Sequence, residues 1–210
     1  RLAEVPQSQA RSVDVLWRRS LFWSDYGLSR FHSGDDRGAR SAFRKSRSWA
    51  EKALAADSNS AWAHLARAAA AGRAAILAES NREKIRRSRA VKRHADRALD
   101  LDSTMATAYH IRGVWHGEVA RLGAISRAFV RVVYGGLPEA SLEQAESDLT
   151  RAIELEPRAA SHLELGKVYE TMRRTEAART QFRAALGATS IDPFAAVAKR
   201  KARKRLRKLE

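Results

Sequence analysis

Six histidines, His32, His64, His94, His110, His116 and His162, are the side chains of this chain best suited to hold a metal or move a proton. Their spacing argues against both. No HExxH occurs, no two histidines stand four residues apart, and there is no cysteine to complete a ligand set. The absence of cysteine also removes disulfides, thiolate zinc sites and cysteine nucleophiles. A phosphate-cradling loop needs a strand, a glycine-rich turn with Lys-Ser or Lys-Thr, and a helix, and Gly135-Gly136 lacks that setting. No nucleophile elbow or paired-carboxylate signature emerges either. The expectation is no catalytic residue, no metal and no cofactor, and a protein whose chemistry is binding.

Charge is the second source of chemistry. Forty basic residues against 24 acidic ones give a net charge of +16, which draws a protein toward phosphates and anionic surfaces. Much of the excess is local: eight bases against one acid from Lys199 to Glu210, and eight against two from Arg82 to Arg97. Arg86, Arg87, Lys92 and Arg93 in one run, and Lys201 and Lys204 in the other, are the candidate contacts to an anionic surface. Aromatic residues are not interleaved with either run, so stacking on single-stranded nucleic acid is disfavoured. The plainer reading of both runs is a solvated helix face.

The elements that carry these residues are helical. Hydrophobic residues make up 44% and charged residues 30%, with four Pro and eleven Gly, and 210 residues suffice for a sizeable core. The longest apolar stretch, Ala61 to Leu77, is broken by His64, Arg67 and Arg73, so it is not a membrane span. Because the chain begins at Arg1 without a Met, a removed leader or membrane tether is an expectation for what precedes a soluble domain. The compartment is left open.

Four segments share one pattern: Lys52-Ala53-Leu54 with Ser58, Arg97-Ala98-Leu99 with Ser103, Arg151-Ala152-Ile153 with Pro157, and Ala184-Ala185-Leu186 with Ser190. Each looks like the end of a second helix running into a turn. The anchoring alanines stand 45, 54 and 33 residues apart, and the last spacing nearly equals a helix-pair repeat of about 34 residues. Leu165-Gly166, Tyr169, Ala178, Phe182 and Ala185 then stand at tetratricopeptide spacing, and the last unit resembles that repeat closely. Gly166 and Ala178 let two helices approach, with Tyr169 and Phe182 beside the contact. Tyr109, Gly113, Ala145, Leu149, Ala152 and Pro157 fit the preceding unit. Trp62, Leu65, Ala68, Val91, Ala95 and Ala98 fit more loosely, and the first unit, with Trp17, Phe22, Trp23, Tyr26, Ser46, Trp49 and Ala53, reads as irregular.

The resemblance implies an all-α, right-handed tetratricopeptide-like solenoid of about four helix pairs with two insertions. As a single domain over 1–210, its pairs fall at about 12–57, 60–102, 104–156 and 159–189. Cap signals agree: Asp57-Ser58-Asn59-Ser60, Asp102-Ser103, Ser141 with Gln144, and Asp192-Pro193. A capping helix at about 192–209 carries Phe194, Val197, Ala198, Ala202, Leu206 and Leu209 at helical spacing.

The placement of the inserts narrows the likeness. Arg86 to Asp100, Ala108 to Trp115, and Arg127 to Pro138 before Leu142-Glu143-Gln144-Ala145 together resemble the repeat domain of the regulator of microtubule dynamics family, over roughly residues 40 to 195. That resemblance implies an interaction domain, linked in animal members to microtubules and to organelle contact or lipid handling.

In repeats of this kind the first helices line a concave face. In this register the partner-binding positions are Trp62, Leu65 and Arg73, then His110, Val114 and Glu118, then Leu163, Lys167 and Glu170, with Ala69 and Thr107 between them. Tetratricopeptide domains that clamp a partner's terminal carboxylate place Lys, Asn and Arg there, and here the Asn residues are missing. A protein or peptide partner of another kind is the first expectation, with the same residues serving equally as plain core and solvent positions of a scaffold. The insert 123–138, with Ile125, Phe129, Val130, Val132, Val133 and Tyr134, is too apolar to wave in water and is expected to fold back. Phe129, Val133 and Tyr134 could then roof a pocket for a lipid or other apolar ligand, or simply pack. The oligomeric state is not readable from these residues.

Overall fold

A computed structural model describes residues 12–189 and 193–209, and the side chains of residues 124 and 125 lie outside what it describes. The expected turn residues Ser190 and Asp192 lie outside it too. The described residues form ten α-helices and no strand: α1 (Val13–His32), α2 (Asp36–Ala56), α3 (Ala61–Ile76), α4 (Asn81–Leu101), α5 (Ala106–Ala120), α6 (Ala124–Tyr134), α7 (Leu142–Leu155), α8 (Ala159–Thr171), α9 (Thr175–Gly187) and α10 (Ala195–Leu206). No described helix is long and apolar enough to cross a membrane.

Side-chain caps start five of the helices, each satisfying a backbone N–H that the helix itself leaves without a partner. Ser60 Oγ accepts from Ala63 N at 3.2 Å and Ser141 Oγ from Gln144 N at 3.0 Å, and Ser12 and Asp35 cap α1 and α2 in the same way. Ser80 accepts from Glu83 N, while Glu83 accepts from Glu79 N just outside the helix. Asp102-Ser103 does not cap α5: that helix starts from Met105 without a side-chain cap, because the chain needs three further residues to turn into it.

The chain divides into two compact units, Arg1–Ser103 with Arg131–Leu137, and Thr104–Val130 with Pro138–Glu210. In the first, α1 pairs with α2 and α3 with α4. The opening pair is regular rather than irregular. Ser20 Oγ donates to Ser46 O at 2.9 Å, and a Cβ on Gly27 would meet Phe43 Cδ1 at 2.7 Å. Leu16, Trp17, Ala50, Ala53, Ala63 and Ala66 form the core that α3 completes. Alanine dominates here because small side chains let helix axes come close over a long contact.

In the second unit α5 pairs with α7, α8 with α9, and α10 packs on α8 and α9. Ala198, Ala202 and Leu206 of α10 join Leu163, Ala178, Phe182 and Ala185 in one buried cluster, while Lys201 and Lys204 face solvent. Larger side chains and backbone, and not only small residues, lie nearest Gly113 and Gly166. Gly113 lies against Asp148 and Leu149, with Leu149 N 3.2 Å from a built Cβ, whereas Ala145 Cβ stands 3.8 Å from that of Gly117. Gly166 lies under the ring of Phe182 rather than against Ala178. A flat ring seals a glycine notch more completely than a methyl group does.

Candidate partner-binding faces

Each first helix packs one side against the second helix of its pair, so only part of its surface is left for a partner. On α3, Trp62 is 44% exposed, although its ring stacks on the buried Trp17 at 4.6 Å between centroids. Arg73 lies partly buried one helix face along, and Ile76 is exposed. Leu65 is 1% exposed and Leu163 4%, so both belong to the core and not to a groove. Their positions on the wheel turn toward the partner helix, where an aliphatic side chain gains most from burial.

In the second unit the predicted residues meet one another across α5 and α8. His110 Nδ1 and Ser161 Oγ are 3.0 Å apart, and Val114 packs beside Ala145, Leu149, Leu165 and Val168. Lys167 Nζ donates to Glu118 Oε1 at 3.2 Å and to Glu164 Oε2 at 2.6 Å, and Arg121 Nη1 reaches Glu118 at 2.7 Å. Glu170 is bound by Arg205 of the capping helix. Burial pushes the Glu118 carboxyl up, but Lys167 and Arg121 outweigh it and hold it below the ordinary range. This ladder satisfies its own charges. A partner carboxylate would have to compete with two glutamates for Lys167, so the ladder is no open carboxylate clamp.

The basic positions are partly consumed as well. Arg87 binds Glu83 and the Ala74 carbonyl, and Lys92 binds Asp96 at 2.6 Å, whereas Arg86 and Arg93 are exposed. Sequence reasoning missed what holds α5 to α7: Arg112 Nε and Nη2 each donate to a carboxylate oxygen of Asp148 at 2.7 Å. Asp148 is buried, and the Arg112 guanidinium lies 5.5 Å from the Tyr109 ring centre.

Two histidines also come together unexpectedly, His64 of α3 and His94 of α4, with Nδ1 atoms 2.9 Å apart. Arg93 can only donate to His94 Nε2, at 3.2 Å, and the Ser58 carbonyl can only accept from His64 Nε2, at 3.0 Å. The tautomers follow: His94 Nδ1–H donates to His64 Nδ1. Burial, with Arg93, Arg67 and His64 around it, pushes His94 down to about 4. Among the described residues no group of three or more His, Cys, Asp and Glu could hold a metal ion.

The apolar side chains of the insert stand largely open to solvent. Phe129 is 50%, Val132 84% and Val133 51% exposed on α6, and Tyr134 is partly buried. The helix is fastened at its two ends. Arg127 donates to Leu122 O at 2.6 Å near the start, and Arg89 donates to the carbonyls of Tyr134 and Gly136 at the finish. Gly135 and Gly136 turn the chain there with φ of 72° and 81°, values that exclude most other residues.

Comparison with known proteins follows the same lines. A thermophilic TPR protein of Thermus thermophilus, known as a crystal structure, superposes with a TM-score of 0.51 at 15% identity, covering 88% of this chain and 99% of that one. That likeness concerns the fold alone. Regulator of microtubule dynamics protein 1 of Bos taurus is 24% identical over 163 residues, 77% of this chain and 50% of the relative. Its Rattus norvegicus counterpart is 30% identical over 93 residues, 43% of this chain and 30% of that protein. The chain thus spans half or less of the curated relatives it matches. The family profile described as regulator of microtubule dynamics protein 1-3 matches residues 1–210, and the chain belongs to that family.

Proposed function

We propose that this chain is a non-enzymatic helical-repeat scaffold that presents the first helices of its pairs to a protein or peptide partner. The observation that carries the reading is Trp62. A large aromatic side chain held rigidly by stacking on Trp17, yet 44% exposed, is the kind of anchor that dominates protein interfaces, because little side-chain entropy remains to be lost on docking. Arg73 and Ile76 continue the face along α3, and within the second unit the charge ladder of Glu118, Lys167 and Glu164 supplies a polar surface on α5 and α8.

The test is quantitative recovery of partners by the full chain and by Trp62→Ala, with folding checked by circular dichroism. A specific partner held by the natural chain and released by the variant supports the reading. Equal recovery by both, or no specific partner, refutes it. The cattle and rat relatives are named as regulators of microtubule dynamics, and polymerised tubulin is therefore one bait to include. An apolar ligand pocket under the insert is the second reading, but the exposure of Phe129 and Val133 favours a different use of that helix.

A further inference from the structure

We propose that α6 is a membrane-docking helix that lies flat on an anionic lipid bilayer with Phe129, Val132 and Val133 inserted among the lipids. This does not depend on the partner reading above. Residues 129, 132 and 133 share one face of the helix, at the spacing of one turn, and Arg127 and Arg131 share the opposite face. The apolar face is exposed, with Val132 at 84%. A strongly amphipathic helix with apolar residues outward and arginines behind them is the arrangement that settles in the headgroup layer.

Charge points to an anionic surface. On α6 the chain has two arginines, Arg127 and Arg131, and no acid, within a protein of net charge +16, and anionic headgroups attract such a segment. Size points to a bilayer rather than a protein. Eleven residues give a helix about 16 Å long and about 10 Å wide, a footprint several-fold below the roughly 800 Å² per partner of a stable protein interface. A bilayer sets no such minimum. Long arginine side chains can also lie along the apolar boundary while their charged heads stay in water.

The helix is also prepared in advance. Arg127 ties its first turn to the carbonyls of Ala120 and Leu122, and Arg89 ties its last carbonyls to α4. Docking therefore does not have to cover the ordering cost of folding a free segment.

The full chain should cosediment with vesicles of about 30% phosphatidylserine in phosphatidylcholine at about 0.1 M salt, and much less with phosphatidylcholine alone. Val132→Asp combined with Val133→Asp should weaken that binding about tenfold or more, since two charges replace inserted apolar side chains. Both positions are exposed, so the thermal melt should not move. Val132→Trp should show a blue-shifted emission on vesicles, which reports insertion directly. Trp62→Ala should bind vesicles as the natural chain does, which separates this proposal from the partner reading. Undiminished binding by the double Asp variant would assign the membrane contact to the basic faces of α4 and α10 and overturn the proposal. So would absence of binding to either vesicle, an unshifted emission from the Val132→Trp variant, or a vesicle-free dimer that the Asp substitutions dissolve, which would make a second copy the occupant.

Discussion

The ring of Phe43 lies where a side chain on Gly27 would be, with Cδ1 2.7 Å from a built Cβ. Phe182 stands in the same relation to Gly166, also with Cδ1 at 2.7 Å, and both glycines precede their phenylalanine by sixteen residues. Ala39 and Ala178 occupy the same place, twelve residues after each glycine, and both are fully buried. The first and last helix pairs therefore repeat one contact, a notch on the first helix filled by an aromatic ring from the second.

Gly27→Ala and Gly166→Ala should each destabilise the fold by about 1–3 kcal/mol, because the added methyl group displaces a buried ring. Glycine to alanine inside a helix otherwise stabilises by up to about 1 kcal/mol. Gly187→Ala, at the end of α9 where nothing lies within 4 Å, is the control and should be neutral or stabilising. Urea midpoints of the three variants check the difference in sign.

Breaking the pair between Arg112 and Asp148 should cost more than removing it. Asp148→Leu alone leaves the Arg112 guanidinium without its carboxylate in a mostly buried setting and should lose about 3–5 kcal/mol. Arg112→Met together with Asp148→Leu should recover most of that loss, since no charge is then stranded. A double-mutant cycle measured by chemical denaturation decides it.

Stability should depend on pH through His94. Its folded value of about 4 lies below the ordinary value of 6.5, so between those values the unfolded chain binds more protons. The stabilisation is fully present above about pH 6.5 and is lost as pH falls through about 4, a change on the order of 3 kcal/mol at most. Burial gives the main reason, and the Arg93 guanidinium against His94 Nε2 adds to it, since a proton there would face a positive charge. His94→Gln should flatten the difference in unfolding free energy between pH 6.5 and pH 4.5, over and above the carboxylate titrations common to both proteins.

Arg89→Ala should free the end of α6 without weakening the repeats. Arg89 is exposed and its guanidinium donates to the carbonyls of Tyr134 and Gly136. Amide exchange over residues 131–137 should quicken several-fold while the thermal midpoint stays within about 1–2 °C. Unchanged exchange would mean that the α6 terminus is held by other contacts.

Some of the site was legible in advance and some was not. The spacing of Gly166, Tyr169, Ala178 and Phe182 was enough to recognise a helix-pair repeat, because close packing of two helices leaves its mark at fixed positions. The same signal in Gly27, Ala39 and Phe43 is masked in the sequence, because α2 runs on well past that contact to Ala53 and the repeat spacing there no longer matches. Leu65 and Leu163 read as open-face positions because a helical wheel does not show which side the neighbouring helices cover. The ladder of Glu118, Lys167 and Glu164 joins residues 49 apart, and His64 and His94 are 30 apart, so no local pattern announces either.

Composition and periodicity by themselves determined that the chain is helical, built of repeated pairs, strongly basic and without a recognisable catalytic motif, because each of these follows from residue types or from contacts between neighbours in sequence. Tertiary structure alone decided which side chains are free to meet a partner. It left Trp62 exposed on its stack, closed the charges of α5 and α8 upon one another, and turned the apolar side of α6 outward. Exposure depends on what the rest of the chain brings alongside, and that is a property of the packed molecule rather than of any segment.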